Sequence, residues 1–153
     1  MAGSRARGSR GGVGVWIDHT QAIFVRLAGG NAEPEVSSLR SEAQVGGRGG
    51  AAAPGESKEQ ADSRQAKRRR QQLRDFYARV IEAVASAPRI VVLGPGTAKL
   101  ELRQQIEESP EVARRLEQVR PCERVAQRQL IERVRELLAA SPRARGRGAA
   151  SRV

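Results

Sequence analysis

Four consecutive cations, Lys67-Arg68-Arg69-Arg70, form the densest charge in the interior of the chain, and no acid interrupts them. Such a cluster suits a polyanion, and arginine in particular offers paired N–H donors to phosphate. A second candidate is the turn Gly94-Pro95-Gly96, with Lys99 close behind it. Backbone N–H groups and the helix dipole favour an anion where a helix starts. The spacing is not GxxxxGK[ST], so it does not indicate a nucleotide-binding loop; a tight strand-to-helix turn calls for the same glycines. A third candidate is Gly46-Gly47-Arg48-Gly49-Gly50, a glycine tip with one cation. Asp18 stands at a strand end, where a two-metal nuclease would place a carboxylate, but that chemistry needs several converging acids. The strand closing at Gly94 offers none, and Glu42, Glu56 and Glu59 fall in a loop. Neighbouring strand residues face opposite ways, so Asp18 and His19 do not form a catalytic pair, and His19 is expected in a turn. With Cys122 and His19 each the single residue of its type, no zinc ligand set can be assembled. The residues therefore suggest phosphate contacts, and no catalytic group, metal or cofactor.

The elements that must position these residues follow from periodicity. Val13, Val15 and Ile17 alternate against Trp16, Asp18-His19-Thr20 can turn, and Ala22–Leu27 returns as the second arm of a hairpin. Glu35–Leu39 is a weaker third strand. Residues 41–63 are expected to form a long glycine-rich loop. Leu73, Phe76, Tyr77, Val80, Ile81 and Val84 recur with helical spacing, which predicts a helix from near Arg64 to Ser86. Extended backwards, that stripe includes Arg69 and Arg70 while Arg68 points away. Two guanidinium groups cannot enter a core unpartnered, so the helix should overhang the sheet before Leu73. Ile90–Leu93 is an unbroken aliphatic run, expected to be a strand buried on both faces. Thr97 is placed to cap the next helix, which runs to about Glu108. Ser109-Pro110-Glu111 opens a short helix, Leu116–Val119 is an edge strand, and a last helix spans about Ala126–Ala140. Trp16 and Tyr77 could stack on bases, but with four aromatic residues in the chain, core packing has first claim on them. The order implies an α/β domain whose mixed sheet has three antiparallel strands and then parallel ones.

The formal charge of +11 is unevenly spread. Arg5, Arg7 and Arg10, with Arg143, Arg145, Arg147 and Arg152, carry +7 of it, leaving +4 for the body. Residues 1–12 and 141–153 are basic Arg/Gly-rich tails with little to bury, and are expected to be disordered. The body, 13–140, is long enough for one modest core. A single cysteine excludes an internal disulfide, no stretch has the length of a membrane span, and the basic N-terminus lacks the apolar core of a secretory signal. A cytoplasmic location is expected.

VGVWIDHTQAIFVRL, a GG pair in a long loop, the basic helix RRRQQLRDFYARVIEAV and IVVLGPGTAKLEL together resemble one family. It is the middle domain of archaeal and eukaryotic class 1 peptide-chain release factors and of Pelota, and more closely its small stand-alone bacterial relatives, known as translational machinery proteins. The likeness runs from Val13 to Ala140 and implies a ribonuclease H-like fold. In release factors a Gly-Gly-Gln tip enters the peptidyl transferase centre; here Arg48 follows Gly46 and Gly47. The codon-reading and partner-binding domains of those factors have no counterpart in this sequence. The resemblance thus implies docking to ribosomal RNA or tRNA through Arg48, Lys67, Arg68, Arg69, Arg70 and Lys99, without peptidyl-tRNA hydrolysis. Two other classes stay open: a hydrolase, either a metal-dependent nuclease or a residual peptidyl-tRNA hydrolase, and a protein-binding scaffold, for instance a homodimer through a sheet edge. No small-molecule substrate is indicated.

Overall fold

The alternation in the first strand serves two cores at once. In the computed structural model, which describes residues 11–29, 32–43 and 53–140, β1 (Gly12–Ile17) is the central strand of a five-stranded sheet and is buried along its whole length. It starts at Gly12, a residue assigned above to the tail. β1 pairs antiparallel with β2 (Gln21–Leu27), which pairs antiparallel with β3 (Glu35–Arg40). On its other side β1 runs parallel to β4 (Ile90–Gly94), with Val13 opposite Ile90 and Trp16 opposite Leu93. β5 (Leu116–Pro121) adds a further parallel strand, giving the order β3-β2-β1-β4-β5. The mixed sheet is the one expected from the sequence.

Helices cover both faces. Val13, Val15 and Ile17 share one core with Phe24, Ile90 and Val92, beneath Phe76, Tyr77 and Val80 of α1 (Lys58–Val84) and Leu102 and Ile106 of α2 (Ala98–Ile106). Trp16, Val25, Val91 and Leu93 face the other way, against Leu130, Val134 and Leu138 of α4 (Gln127–Ala140). α4 sits close because β1 has no side chain at Gly14: a Cβ there would lie 2.4 Å from a methyl of Val134. A short α3 (Pro110–Ala113) opens on its expected proline but ends before Leu116, where β5 begins.

Two local expectations need correction. α1 begins at Lys58, so residues 58–63 belong to the helix and not to the long loop. The cause is a capping box: the Ser57 hydroxyl accepts from the Gln60 N–H, and the Gln60 side chain accepts from the Ser57 N–H. Glu56 adds a two-pronged ion pair to Arg64. That pairing, with a backbone N–H from Ala53, holds the Glu56 carboxyl down at about 2. The second correction concerns Thr97. It occupies the N-cap position of α2, but its hydroxyl caps no backbone group and instead donates to Glu101. Gly46, Gly47 and Arg48 lie outside the described residues.

Candidate functional site

β1 and β4 both end at the same edge of the sheet, and α/β folds commonly bind ligands beyond the carboxyl ends of their parallel strands. There the β1–β2 turn, α1 and α2 enclose a groove of about 610 Å³. One wall is α1, contributing Lys67, Arg69, Arg70, Arg74 and Tyr77; the other is α2 and the residues after it, contributing Glu101, Gln104, Gln105 and Glu108; His19 lies between. The helical phase read from the sequence is the reason: Arg69 and Arg70 continue the stripe of Leu73 and Tyr77, and Arg68 stands off the groove.

The charges on α1 fall into two kinds. Arg64 is tied to Glu56, and Arg74 reaches across the groove to Glu108 at 3.3 Å. Between them, the side chains of Lys67, Arg68, Arg69 and Arg70 make no hydrogen bond or ion pair with any described residue. Cations left unpaired beside a groove keep their full attraction for a ligand's negative charge.

The floor carries an arrangement that spacing did not suggest. Oε1 of Glu101 accepts from the Tyr77 hydroxyl at 2.6 Å and lies 3.1 Å from Nε2 of His19, while Oε2 accepts from the Thr97 hydroxyl at 3.1 Å. Partial burial pushes the Glu101 carboxyl up, but the hydrogen bonds from Tyr77, His19 and Thr97 and the charge of His19 together outweigh it, so its pKa is lowered. Tyr77 is pushed far above its usual range, first by burial and then by the hydrogen bond to Glu101 and that carboxylate's charge; Arg69 opposes this. No signal in the sequence links His19 to Glu101, which stand on separate elements.

The remaining candidates have structural work. Oδ1 of Asp18 accepts from the N–H groups of Thr20 and Gln21 and from the Thr20 hydroxyl, closing the β1–β2 turn. Among the described residues no three His, Cys, Asp or Glu side chains converge as metal ligands. Gly94 is required by close approach: a Cβ there would sit 2.1 Å from the carbonyl oxygen of Ile17. Gly96 adopts φ +57°, which glycine favours. The Lys99 ammonium donates back to the Gly96 carbonyl and does not line the groove. Trp16 is 2% exposed, its indole N–H donates to the Cys122 and Glu123 carbonyls, and Arg124 lies over its ring, so no base can stack on it. Tyr77 is likewise core. No helix among the described residues is long and apolar enough to cross a membrane.

No protein-family model and no curated protein sequence matches this chain. Solved structures do. Pelota from Archaeoglobus fulgidus aligns over 88% of this chain and 34% of its own, with a TM-score of 0.54 at 19% identity. An archaeal translation termination factor aligns over 85% of this chain and 41% of its own, with a TM-score of 0.49 at 16% identity. The chain thus has a Pelota-like fold, the α/β class that its sequence resembles. It spans about a third of the length of that Pelota.

Proposed function

We propose that this chain is a non-catalytic RNA-binding protein that associates with the ribosome or with tRNA. The observation that carries the reading is the run of cations Lys67 to Arg70, unpaired among the described residues, three of which line a groove at the carboxyl edge of the sheet. Phosphate binding there displaces counterions, so affinity should fall steeply with salt and depend little on sequence. The release-factor resemblance supplies the setting. Arg48 in the place of the glutamine argues for docking without peptidyl-tRNA hydrolysis.

The test is co-sedimentation of the full chain with ribosomes and separated subunits at low and moderate salt. A variant with Lys67, Arg68, Arg69 and Arg70 all changed to Ala runs alongside. Binding that salt releases and that the variant loses supports the proposal. Binding unchanged in the variant overturns the groove as its seat. Cleavage of peptidyl-tRNA by the wild-type chain would overturn the non-catalytic assignment.

A further inference from the structure

A groove for polyanions has no evident use for a carboxylate on its floor. Of the two acids that line it, Glu108 pairs with Arg74, but Glu101 has no guanidinium or ammonium partner among the described residues. It is instead held in place by neutral hydroxyls and an imidazole: Tyr77 and His19 on Oε1, Thr97 on Oε2. A carboxylate presents about four acceptor positions, so these three contacts leave one on Oε2. The Glu101 side chain lines the groove and is 42% exposed, so its carboxylate is open to a ligand bound there. An acceptor in this place repels phosphate unless the ligand brings a hydrogen-bond donor to meet it.

Single-stranded RNA brings one at every nucleotide, because its ribose 2′-hydroxyl lies one sugar away from the phosphate. DNA has no such group, and the 2′-hydroxyl is what allows a protein to tell the two apart at a given site. We infer that the groove selects RNA over DNA, Lys67, Arg69 and Arg70 taking the phosphate and the free position on Glu101 accepting the 2′-hydroxyl. His19, Tyr77 and Thr97 are positioning residues that fix the carboxylate for that contact. This inference rests on the phosphate-binding reading of the groove given above.

The experiment is equilibrium binding of the full chain to single-stranded oligonucleotides of one mixed sequence, as RNA, DNA and 2′-O-methyl RNA, which keeps the oxygen but loses the donor. A charge-assisted hydrogen bond predicts that RNA binds about tenfold tighter than either of the others. In Glu101→Gln the preference should shrink to about twofold, with DNA binding gaining as the repulsion is removed. Equal affinity of the wild-type chain for RNA and DNA overturns the inference, and so does a preference that 2′-O-methyl RNA shares or that Glu101→Gln retains. A preference that follows base identity across all three backbones also overturns it, by assigning Glu101 to a base edge. Changing Lys67, Arg69 and Arg70 to Ala separates the two levels. Salt-sensitive binding that this variant loses, without sugar discrimination in the wild type, removes only the role of Glu101. Binding that this variant keeps removes the groove itself.

Discussion

Arginines gather at both ends of this sheet and do opposite things. Where β4 and β5 begin, they are consumed by the fold. Arg89, 9% exposed, makes a two-pronged pair with Glu117 and donates to the Leu138 carbonyl near the end of α4. Arg115 donates to the carbonyls of Ala85 and Ala87 just past α1, and Arg26 to that of Ala83 in its last turn. Neither α1 nor α4 carries a cation in its own last turn, so other elements supply the charge that a helix carboxyl end attracts. At the opposite end, Lys67 to Arg70 have no described partner. The count of arginines therefore says little about function. What distinguishes a binding cation from a structural one is whether the fold has already used it.

The largest expected effect breaks the structural set. Arg89→Ala should cost about 3–5 kcal/mol, because it removes a two-pronged guanidinium partner from the buried Glu117 carboxylate. The paired change Arg89→Met with Glu117→Leu should recover most of that loss, which chemical denaturation would show. Changing Lys67 to Arg70 to Ala should do the reverse. Its unfolding free energy should stay within about 0.5 kcal/mol of wild type, as for surface substitutions that break no described hydrogen bond or ion pair. Loss of more than that would mean that the run is structural after all. Next comes Arg115→Ala, expected to cost about 1–2 kcal/mol by freeing two carbonyls, with the proposed salt-dependent RNA binding unchanged.

The smallest effects come from the groove floor and depend on pH. The lowered Glu101 carboxyl contributes stability that is present above the ordinary carboxylate pKa of about 4.3 and is lost as pH falls through the lower folded value. Tyr77→Phe removes one hydrogen bond from that carboxylate, so it should shrink the acid-side loss in a stability–pH profile. The raised Tyr77 acts in the other direction: its contribution is present below the usual tyrosine value of about 10 and is lost as pH rises above it. Since Tyr77 is the chain's one tyrosine, tyrosinate absorbance should appear only as the protein unfolds in alkali. Reversible ionisation of the folded protein near 10 would contradict its burial against Glu101.

The fold was legible where burial imposes a period. Two-residue alternation in β1, the unbroken aliphatic run of β4 and the Leu73–Val84 stripe each have one compact solution, and each is observed. The start of α1 was not, because Lys58 to Gln72 has almost no apolar period and is begun by polar capping at Ser57 and Gln60. The cationic wall was legible for a related reason: Arg69 and Arg70 inherit their direction from the stripe that follows them. The Glu101 cluster joins the β1–β2 turn, α1 and α2, and no local pattern encodes a meeting of three elements. Thr97 illustrates the limit. Its position was readable, while its hydrogen bond depended on a carboxylate that a capping rule does not consider.

The central place of β1 has a consequence for how the chain comes together as it is made. β1, β2 and β3 are contiguous and can pair as soon as they leave the ribosome, yet β1 then has one open side. That side is covered only by β4, which follows all of α1 in the chain. Until residues 90–93 emerge, the strand destined for the middle of the sheet is an edge, with a row of unpaired backbone groups available to any other strand. The interval in which a nascent copy could pair wrongly is therefore set by the time needed to synthesise α1 and the segment before it.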